Sequence, residues 1–486
     1  MNKCIDFSGR PFHFIGIGGI GMSALAYILT KRQFPVSGSD SRPNHITHKL
    51  EALGAHIFSQ QQADNLEFFL SDNGLNDVLS TSPAQLSAAK KNLPQVVCST
   101  AINSNNLEYK AALELGCPIF HRSDVLAALI ADYYSIAVAG THGKTTTSSM
   151  IGYMLLEAGL DPTILVGGEV NAWEGNARIG DSKYLVAEAD ESDGSLVKHT
   201  PSIGIITNIE LDHPDHYESL EAVVNTFKTF AKGCQVLVGG IDCKTVQEKL
   251  QPTISYSLHP ETGADYTVSN IDYRADGTTA VVWEKGKSLG VLNLKLLGRH
   301  NLSNALAAVA VGRYLGLQFG DIAKGLATFM GARRRFEFRG EAAGITFIDD
   351  YAHHPSEIRA TLAAAKLQAR PGQRIVAIFQ PHRYSRTLTF LEEFAQSFTH
   401  ADLVVLTDIY SAGEANVGKI TGETLATAIN KHHSQVVYQP TLTSVSEFLL
   451  AALRPGDLAL FLGAGNLNQA IPELITALCE PVKATS

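Results

Sequence analysis

No stretch of this sequence approaches the roughly 18 uninterrupted apolar residues of a membrane-crossing helix, so no membrane insertion is expected. Residues 1–10 contain no long apolar core and lead straight into a strand-like segment, so no export leader is expected either. Basic residues are in deficit: 39 Lys and Arg face 48 Asp and Glu, for a formal net charge of −9. Surplus cations are what hold nucleic-acid backbones, so broad nucleic-acid binding is excluded, while local nucleotide sites are not. The six cysteines, Cys4, Cys98, Cys117, Cys234, Cys243 and Cys479, are scattered and form no paired metal spacing. Free thiols in a reduced, cytoplasmic setting are the simplest account. The composition, 45% hydrophobic and 18% charged over 486 residues, is that of an ordinary folded chain too long for one core. About two to four domains are expected at this length.

What is present begins with Val138-Ala139-Gly140-Thr141-His142-Gly143-Lys144-Thr145-Thr146-Thr147. An apolar run, 135–139, precedes it, and residues 146–160 carry apolar positions at helical spacing, so the order is strand, glycine turn, helix. Backbone N–H groups at such a turn converge on an anion, Lys144 places a cation beside outer phosphates, and Thr145 offers a hydroxyl to Mg²⁺. A nucleoside triphosphate is the expected ligand. The usual pattern has another glycine five residues before Gly143; this chain has Val138 there, so only the Gly-Lys-Thr half is met.

Upstream, a strand over 12–17 runs into Gly16, Gly18, Gly19 and Gly21, and a helix follows over 22–29. The next strand ends at Asp40, about 20 residues on, as in a dinucleotide fingerprint where the acid accepts from a ribose hydroxyl. Helix-to-strand packing without any ligand is the alternative. Further apolar runs at 77–80, 96–100 and 118–120 make this region α/β and parallel, and Ser99, Thr100, Ala101 and Ile102 follow a strand where open sheets bind ligands. Downstream of the phosphate loop, two apolar strands discharge Glu188, Asp190, Glu191 and Asp193, then Asn208, Asp212 and His213, at their C-terminal ends. Glu188 and His213 are therefore candidate partners of Mg²⁺ with Thr145; for His213, capping a turn is the competing role. Residues 266–297 alternate like antiparallel strands, and Asn301 and Asn304 open a helix, where they could be simple N-terminal caps. The Arg333, Arg334, Arg335 cluster is a solvated charge run or an arginine clamp on phosphates. Beyond it, strands at 345–349, 374–379, 402–407 and 458–462 end in loops bearing Asp350, Tyr351, His353, His354, His382, Arg383 and Arg386, a composition suited to a carboxylate pocket.

Gly140 to Thr147, Glu188 to Asp193, Asn208 to His213, Gly298 to Ala305 and Asp350 to Pro355 together resemble, in order, the motifs of the Mur ligases, which build the peptide of bacterial cell-wall precursors. That resemblance spans nearly the whole chain and accounts for Val138, because the family's phosphate loop lacks the early glycine. It implies three α/β domains: a UDP-sugar-binding Rossmann-like domain at 1–132, a central P-loop ATPase-like domain with an added small antiparallel sheet at 133–332, and a Rossmann-like amino-acid-binding domain at 333–486. It also implies that the first glycine loop, with Gly16, Gly18, Gly19, Gly21, Met22, Ser23, Asp40, Ser99 and Ala101, holds a UDP-sugar rather than a nicotinamide dinucleotide.

Within the family, Gly16 to Ser23, Arg334 to Phe336, Asp349 to His354 and Gln380 to Tyr384 look most like the member that joins L-alanine to UDP-N-acetylmuramate. The alternative is a recycling ligase that attaches a preformed tripeptide to the same sugar. Its first glycine loop typically carries a cysteine and its aspartate is followed by phenylalanine, where this chain has Gly18, Gly19 and Tyr351. What the resemblance implies is ATP-dependent ligation through an acyl phosphate with two Mg²⁺ ions. Gly140, Thr141, His142, Gly143, Lys144, Thr145, Thr146, Asn301, Asn304, Arg335 and Asp350 serve ATP; Tyr351, His353, His382, Arg383 and Arg386 serve alanine. Thr145, Glu188 and His213 hold metal, and Lys144, Glu188, His213, His353 and Arg383 carry the chemistry. Lys198 lies at the wrong offset for the carbamylated lysine of other members. A cytoplasmic monomer or weak homodimer, acting in peptidoglycan synthesis and hence in cell shape and division, is expected. A nicotinamide-dependent oxidoreductase would leave Lys144 idle, and a nucleotide switch would have no use for His353.

Overall fold

In the computed structural model, residues 4–71, 93–416 and 418–479 are described. The central strands of the parallel sheets are short apolar runs, such as Ile375–Phe379 and Leu458–Leu462, and the meander strands alternate. The chain divides into two units. The first comprises Met1–Ala139, Gly159–Ile205 and Thr226–Leu237; the second comprises Gly140–Ala158, Ile206–Asn225 and Val238–Ser486.

In the first unit, β1 (Phe12–Ile15), β2 (Val36–Ser39), β3 (His56–Phe58), β4 (Gln95–Cys98) and β5 (Ile119–His121) form a parallel sheet in the order β3-β2-β1-β4-β5. Helix α1 (Ile20–Lys31) follows β1. The strand order reverses between β1 and β4, which places the Gly16–Gly21 loop and the Ser99–Ala101 turn at the topological switch point. β1 stops at Ile15, two residues short of the expected end, because Gly16 takes φ +79°. The strand expected at 77–80 lies outside the described residues. The same unit contains β6 (Tyr134–Ala139), β7 (Thr163–Val170), β8 (Gly175–Arg178), β9 (Tyr184–Glu188) and β10 (Ile203–Ile206), of which residues 203–205 belong here, in the order β10-β6-β9-β7-β8.

In the second unit, helix α2 (Lys144–Glu157) continues from the phosphate loop. Strands β11 (Val236–Gly240), of which residues 238–240 belong here, β12 (Ile254–Tyr256), β13 (Tyr266–Arg274), β14 (Gly277–Glu284) and β15 (Lys287–Leu294) follow in sequence. The last three pair as the antiparallel meander expected from the alternation over 266–297. After α3 (Arg299–Tyr314) comes a six-stranded sheet of β16 (Glu337–Ala342), β17 (Ile345–Asp350), β18 (Ile375–Phe379), β19 (Leu403–Leu406), β20 (Val436–Tyr438) and β21 (Leu458–Leu462), ordered β16-β17-β21-β18-β19-β20. All but the edge strand β16 are parallel, so the loops after β17, β18, β19 and β21 leave from one edge. Successive side chains face opposite layers: Ile375, Ala377 and Phe379 enter one core cluster and Val376 and Ile378 the other. A sheet covered on both faces explains the unbroken apolar runs. Helix α4 (Pro355–Gln368) covers one face, and the short α5 (Tyr384–Thr389) follows β18. Among the described residues, no helix is long and apolar enough to cross a membrane.

A polar knot lies inside the first unit. His13 Nδ1 lies 2.8 Å from Ser37 Oγ and its Nε2 3.1 Å from Glu108 Oε1. Glu108 also accepts from Ser39 Oγ at 2.5 Å and from Asn65 Nδ2 at 2.6 Å. His13, Glu108, Ser37 and Ser39 are fully buried. Deleting one partner of such a network strands the others without water. Glu108→Ala is therefore expected to destabilise this unit by about 3 kcal/mol, seen as an early transition in urea unfolding, whereas the exposed Glu114→Ala leaves the curve unmoved.

Candidate active site

The phosphate loop is pinned by the strand end that follows β10. Thr141 N–H donates to Asn208 O at 3.0 Å, His142 N–H to Asn208 Oδ1 at 2.9 Å, and Thr207 Oγ1 to His142 O at 2.6 Å. Gly140 has φ +137°, and a Cβ there would overlap Thr207 Oγ1. Gly143 has φ +81°, and its Cβ would come within 2.7 Å of Asn304 Oδ1. Neither position tolerates a side chain. Lys144 Nζ donates to the carbonyls of Gly140 at 2.7 Å and Thr141 at 3.1 Å, so the cation sits over the loop. Thr145 Oγ1 accepts from Arg335 Nη2 at 3.4 Å, which brings one arginine of the basic cluster to the first turn of α2. Thr146 is buried on that same turn. Helix α2 starts at Lys144, two residues before the expected position, and Val138 is fully buried in β6.

Asn301 and Asn304 are not caps. The N-cap of α3 is Gly298, and both asparagines lie buried inside the helix: Asn301 Nδ2 donates to Leu297 O at 2.8 Å, and Asn304 Nδ2 contacts Asn301 Oδ1 at 3.4 Å. The arginine cluster is likewise structural in part. Arg334 donates to Gly463 O at 2.6 Å and pairs with Asp349 at 3.4 Å, and Arg334 and Arg335 both lie over the Tyr351 ring, at 4.9 and 5.0 Å. Asp350 accepts from Phe336 N–H at 2.6 Å and Ala352 N–H at 2.8 Å. Burial pushes its carboxyl up to about 6, against the Arg335 charge and those N–H groups.

A dense ionic cluster occupies the start of α4. The ring of His142 lies between two carboxylates, Nδ1 3.2 Å from Glu357 Oε1 and Nε2 3.2 Å from Glu210 Oε2. Both nitrogens must donate, so the ring is an imidazolium. Burial alone would discharge it, but Glu210 and Glu357 outweigh that and raise it to about 10. Glu357, the capping-box residue of α4, also accepts from His353 N–H at 3.0 Å and His354 N–H at 3.2 Å. Glu210 accepts from Ser356 Oγ at 2.8 Å, which closes the ring of contacts. His353 Nδ1 donates to Tyr351 O at 2.9 Å, leaving Nε2 with its lone pair, and burial holds His353 and His354 down to about 4.

The expected carboxylate pocket is occupied by the protein's own acids. Arg386, only 2% exposed, donates Nε to Asp212 Oδ1 at 2.9 Å, and its Nη2 reaches His213 Nδ1 at 3.5 Å. Its Nη1 contacts His382 Nδ1 at 3.3 Å, and burial lowers His382 to about 3. His382 stacks on Tyr410 and meets His353 edge-on, with centroids 5.7 and 5.8 Å apart. Arg383 pairs with Asp215 and lies 3.7 Å from Glu414. His213 and Arg383 hold φ +54° and +69°, a left-handed backbone that costs on the order of 1 kcal/mol each.

In the first unit, Gly18 N–H donates to Asp40 Oδ2 at 2.9 Å and Arg42 N–H to Asp40 Oδ1 at 2.9 Å. Asp40 thus braces the glycine loop, a role the fingerprint reading did not foresee. Gly19 is the N-cap of α1, Met22 and Ser23 are buried in its first turn, and Ser23 Oγ contacts Asn176 Nδ2 at 3.1 Å. A Cβ on Gly16 would lie 3.8 Å from Ile102 Cδ1, so the two switch-point loops meet; a Cβ on Gly21 would lie 3.4 Å from Arg122 Nη1. Glu188 stands opposite Val138 in the parallel register of β6 and β9, two residues before the phosphate loop begins, and accepts from Gly167 N–H at 2.6 Å. Lys198 pairs with Asp124 at 2.7 Å.

Family models match nearly the whole chain: "Mur ligase family, catalytic domain" over residues 11–134, "Mur ligase middle domain" over 138–312, and "Mur ligase, glutamate ligase domain" over 334–465. The chain belongs to the Mur ligase family. Among Mur ligases, it is 80% identical over 486 residues to the UDP-N-acetylmuramate–L-alanine ligase of Nostoc punctiforme, covering 100% of both chains. It is 65% identical to the ligase of the same name from Microcystis aeruginosa, covering 98% of this chain and 97% of that one. Among solved structures, the UDP-N-acetylmuramate-alanine ligase of Thermotoga maritima superposes with a TM-score of 0.77 at 28% identity, covering 96% and 98% of the two chains. The three-domain α/β architecture expected from the motifs is the architecture of this family.

Sequence reasoning passed over Glu210 and Glu357, which hold His142; Asp212, expected at a strand end, holds Arg386. Glu357 stands three residues after His354 and two after Pro355, a capping signature that could have marked it. The pH dependence of stability follows from these groups. His353, His354 and His382 bind protons more readily unfolded, so stability falls as pH drops below 6.5 toward 4. His142 has the opposite sign: its contribution is complete below 6.5 and is lost as pH rises through about 10. The thermal-unfolding temperature is expected to peak near about pH 6.5 to 7, and His142→Asn to flatten the alkaline limb. An alkaline limb unchanged in that variant would contradict the assignment.

Proposed function

We propose that this chain joins L-alanine to the lactyl carboxylate of UDP-N-acetylmuramate at the expense of ATP, in the cytoplasmic synthesis of peptidoglycan precursors. Full-length identity of 80% to a ligase of that name is the observation that carries the reading. It is an ATP-dependent carbon–nitrogen ligase of the Mur family. The tripeptide-recycling alternative is not favoured: the likeness to a murein peptide ligase of Psychrobacter arcticus, TM-score 0.69 at 23% identity over 98% and 100% of the chains, reflects the fold alone.

In the proposed reaction, the lactyl carboxylate attacks the γ-phosphorus of ATP, releasing ADP and leaving an acyl phosphate. The amine of L-alanine then attacks the acyl carbon, and the tetrahedral intermediate expels inorganic phosphate. The triphosphate lies against residues 140–146, with Lys144 balancing charge as the phosphoryl group moves. Arg335, beside Thr145, adds a second cation, and Asn301, Asn304 and Asp350 line the nucleotide side. A hydroxyl, a carboxylate and an imidazole, from Thr145, Glu188 and His213, are a donor set suited to Mg²⁺ on phosphate oxygens. Bound there, one or two ions would supply Lewis-acid neutralisation of the transferring oxygens. The alanine ammonium must lose a proton before it can attack. His353, its Nδ1 committed to Tyr351 O, offers its neutral Nε2 as a hydrogen-bond acceptor that can orient the resulting amine. Arg383, paired with the exposed Asp215, a partner it can exchange, is the residue placed to take the alanine carboxylate; Arg386 and His382 position its neighbours, and Tyr351 forms the adjoining wall. The UDP diphosphate lies on the α1 N-terminus formed by Gly16 to Ser23, with Ser99 and Ala101 at the switch point and Asp40 bracing the loop. Domain limits at 132 and 332, and a monomer or weak homodimer, belong to the same proposal.

Phosphate release from ATP is expected to require both UDP-N-acetylmuramate and L-alanine. Release indifferent to both would sink the reading, and dependence on a tripeptide in place of alanine would favour recycling. Lys144→Ala is expected to lower kcat by about 10²- to 10³-fold with an unchanged circular-dichroism spectrum; near-normal product formation would refute its role.

A further inference from the structure

One carboxylate serves two sites that the reaction must coordinate. Glu357 Oε1 faces the His142 ring in the phosphate loop, at 3.2 Å. Its Oε2 accepts the backbone N–H of His353 at 3.0 Å and lies 3.3 Å from His353 Nδ1. His142 is gripped from the other side by Glu210, which Ser356 Oγ ties back to the first turn of α4 at 2.8 Å. His354, the N-cap of α4, meets the His142 ring at a centroid distance of 4.7 Å. The side chains of His142 and Glu357 are each 15% exposed, so the pair is poorly screened. Between the two sites runs a short chain of hard contacts: backbone of His353, Glu357, ring of His142, backbone of the phosphate loop. The links through Glu357 are direct contacts of 3.0 to 3.3 Å.

We propose that His142 and Glu357 form a coupling latch through which the amino-acid side and the ATP side of the site set each other's geometry, with Glu210 as its outer clamp. The inference rests on the ligase reading above, since it takes residues 140–146 as the ATP side and His353 as the acceptor side. His142 and Glu357 are positioning residues: they act through the loops they hold. Coupling of this kind is reciprocal, because whatever one ligand does to the affinity of the other is returned by the same factor. A residue that merely stabilises its own loop has no such cross-effect.

The test is steady-state kinetics on the full chain with His142→Asn, Glu357→Gln and the double variant, varying ATP and L-alanine separately at saturating UDP-N-acetylmuramate. Glu357→Gln, on the acceptor side, is expected to raise the KM for ATP by about 5- to 20-fold, and His142→Asn to raise the KM for L-alanine by a similar factor. The double variant should be no worse than the poorer single one, as for two halves of one contact. Effects confined to each residue's own substrate, or effects that multiply in the double variant, would overturn the latch. Should either variant fail to fold, Glu210→Gln carries the same test, since that side chain is 42% exposed. It is expected to raise the KM for L-alanine by about 2- to 5-fold, and an unchanged KM counts against the latch. If the unaltered chain shows no alanine-dependent phosphate release, the ligase reading fails on its own. The latch is then decided by equilibrium binding of a non-hydrolysable ATP analogue, which Glu357→Gln must weaken if the latch exists and leaves unchanged if it does not.

Discussion

An imidazolium held between two carboxylates is the interaction on which the arrangement of the second unit depends. His142 sits in the middle of the phosphate loop, and its partners come from the strand end after β10 and from the first turn of α4. A ring charged on both edges and largely out of solvent cannot slip without leaving a carboxylate unpaired, a penalty of several kcal/mol. The loop's backbone is therefore fixed twice, once by its hydrogen bonds to Thr207 and Asn208 and once by this ion triad. The same helix start caps itself with Glu357, so the electrostatics of α4 and of the phosphate loop are one system rather than two.

The remaining chemistry follows from parallel topology. A parallel sheet sends all its strand C-termini to one edge, and the loops after β17, β18, β19 and β21 leave there together. Those loops bring Asp350, Tyr351, His353, His382, Arg383 and Arg386 into one neighbourhood. His213 and Arg383 accept left-handed backbone there, a strain the surrounding ion pairs over-determine. Burial keeps three histidines neutral in a region crowded with arginines, which separates the groups able to take a proton from those able only to hold an anion.

Much of this was legible in the residues. Apolar runs ending in Gly140, Glu188, Asn208, Asp350 and Gln380 marked strands whose ends carry function, and the alternation over 266–297 marked the meander. Val138 was legible as a family trait, a phosphate loop without the early glycine, and the structure adds that it is buried in β6. The parts that were not legible depend on contacts distant in sequence. Nothing in the spacing around Asp40 tells that its carboxylate is spent on the Gly18 and Arg42 N–H groups. Nor does local sequence reveal that Arg386 is paired with Asp212, 174 positions away. The competing reading of Asn301 and Asn304 as caps falls because Gly298, with φ +88°, starts α3 earlier than a polar cap would suggest.

Lys144 carries one more consequence. Its ammonium already donates to two carbonyls of its own loop, so an arriving anion does not meet a bare charge but must outbid hydrogen bonds that exist. For the proposed ligase, a triphosphate that also engages the loop's N–H groups and Arg335 would add contacts that a lone anion lacks. The loop's self-contact thus sets a cost of entry that an anion touching Lys144 alone must meet in full.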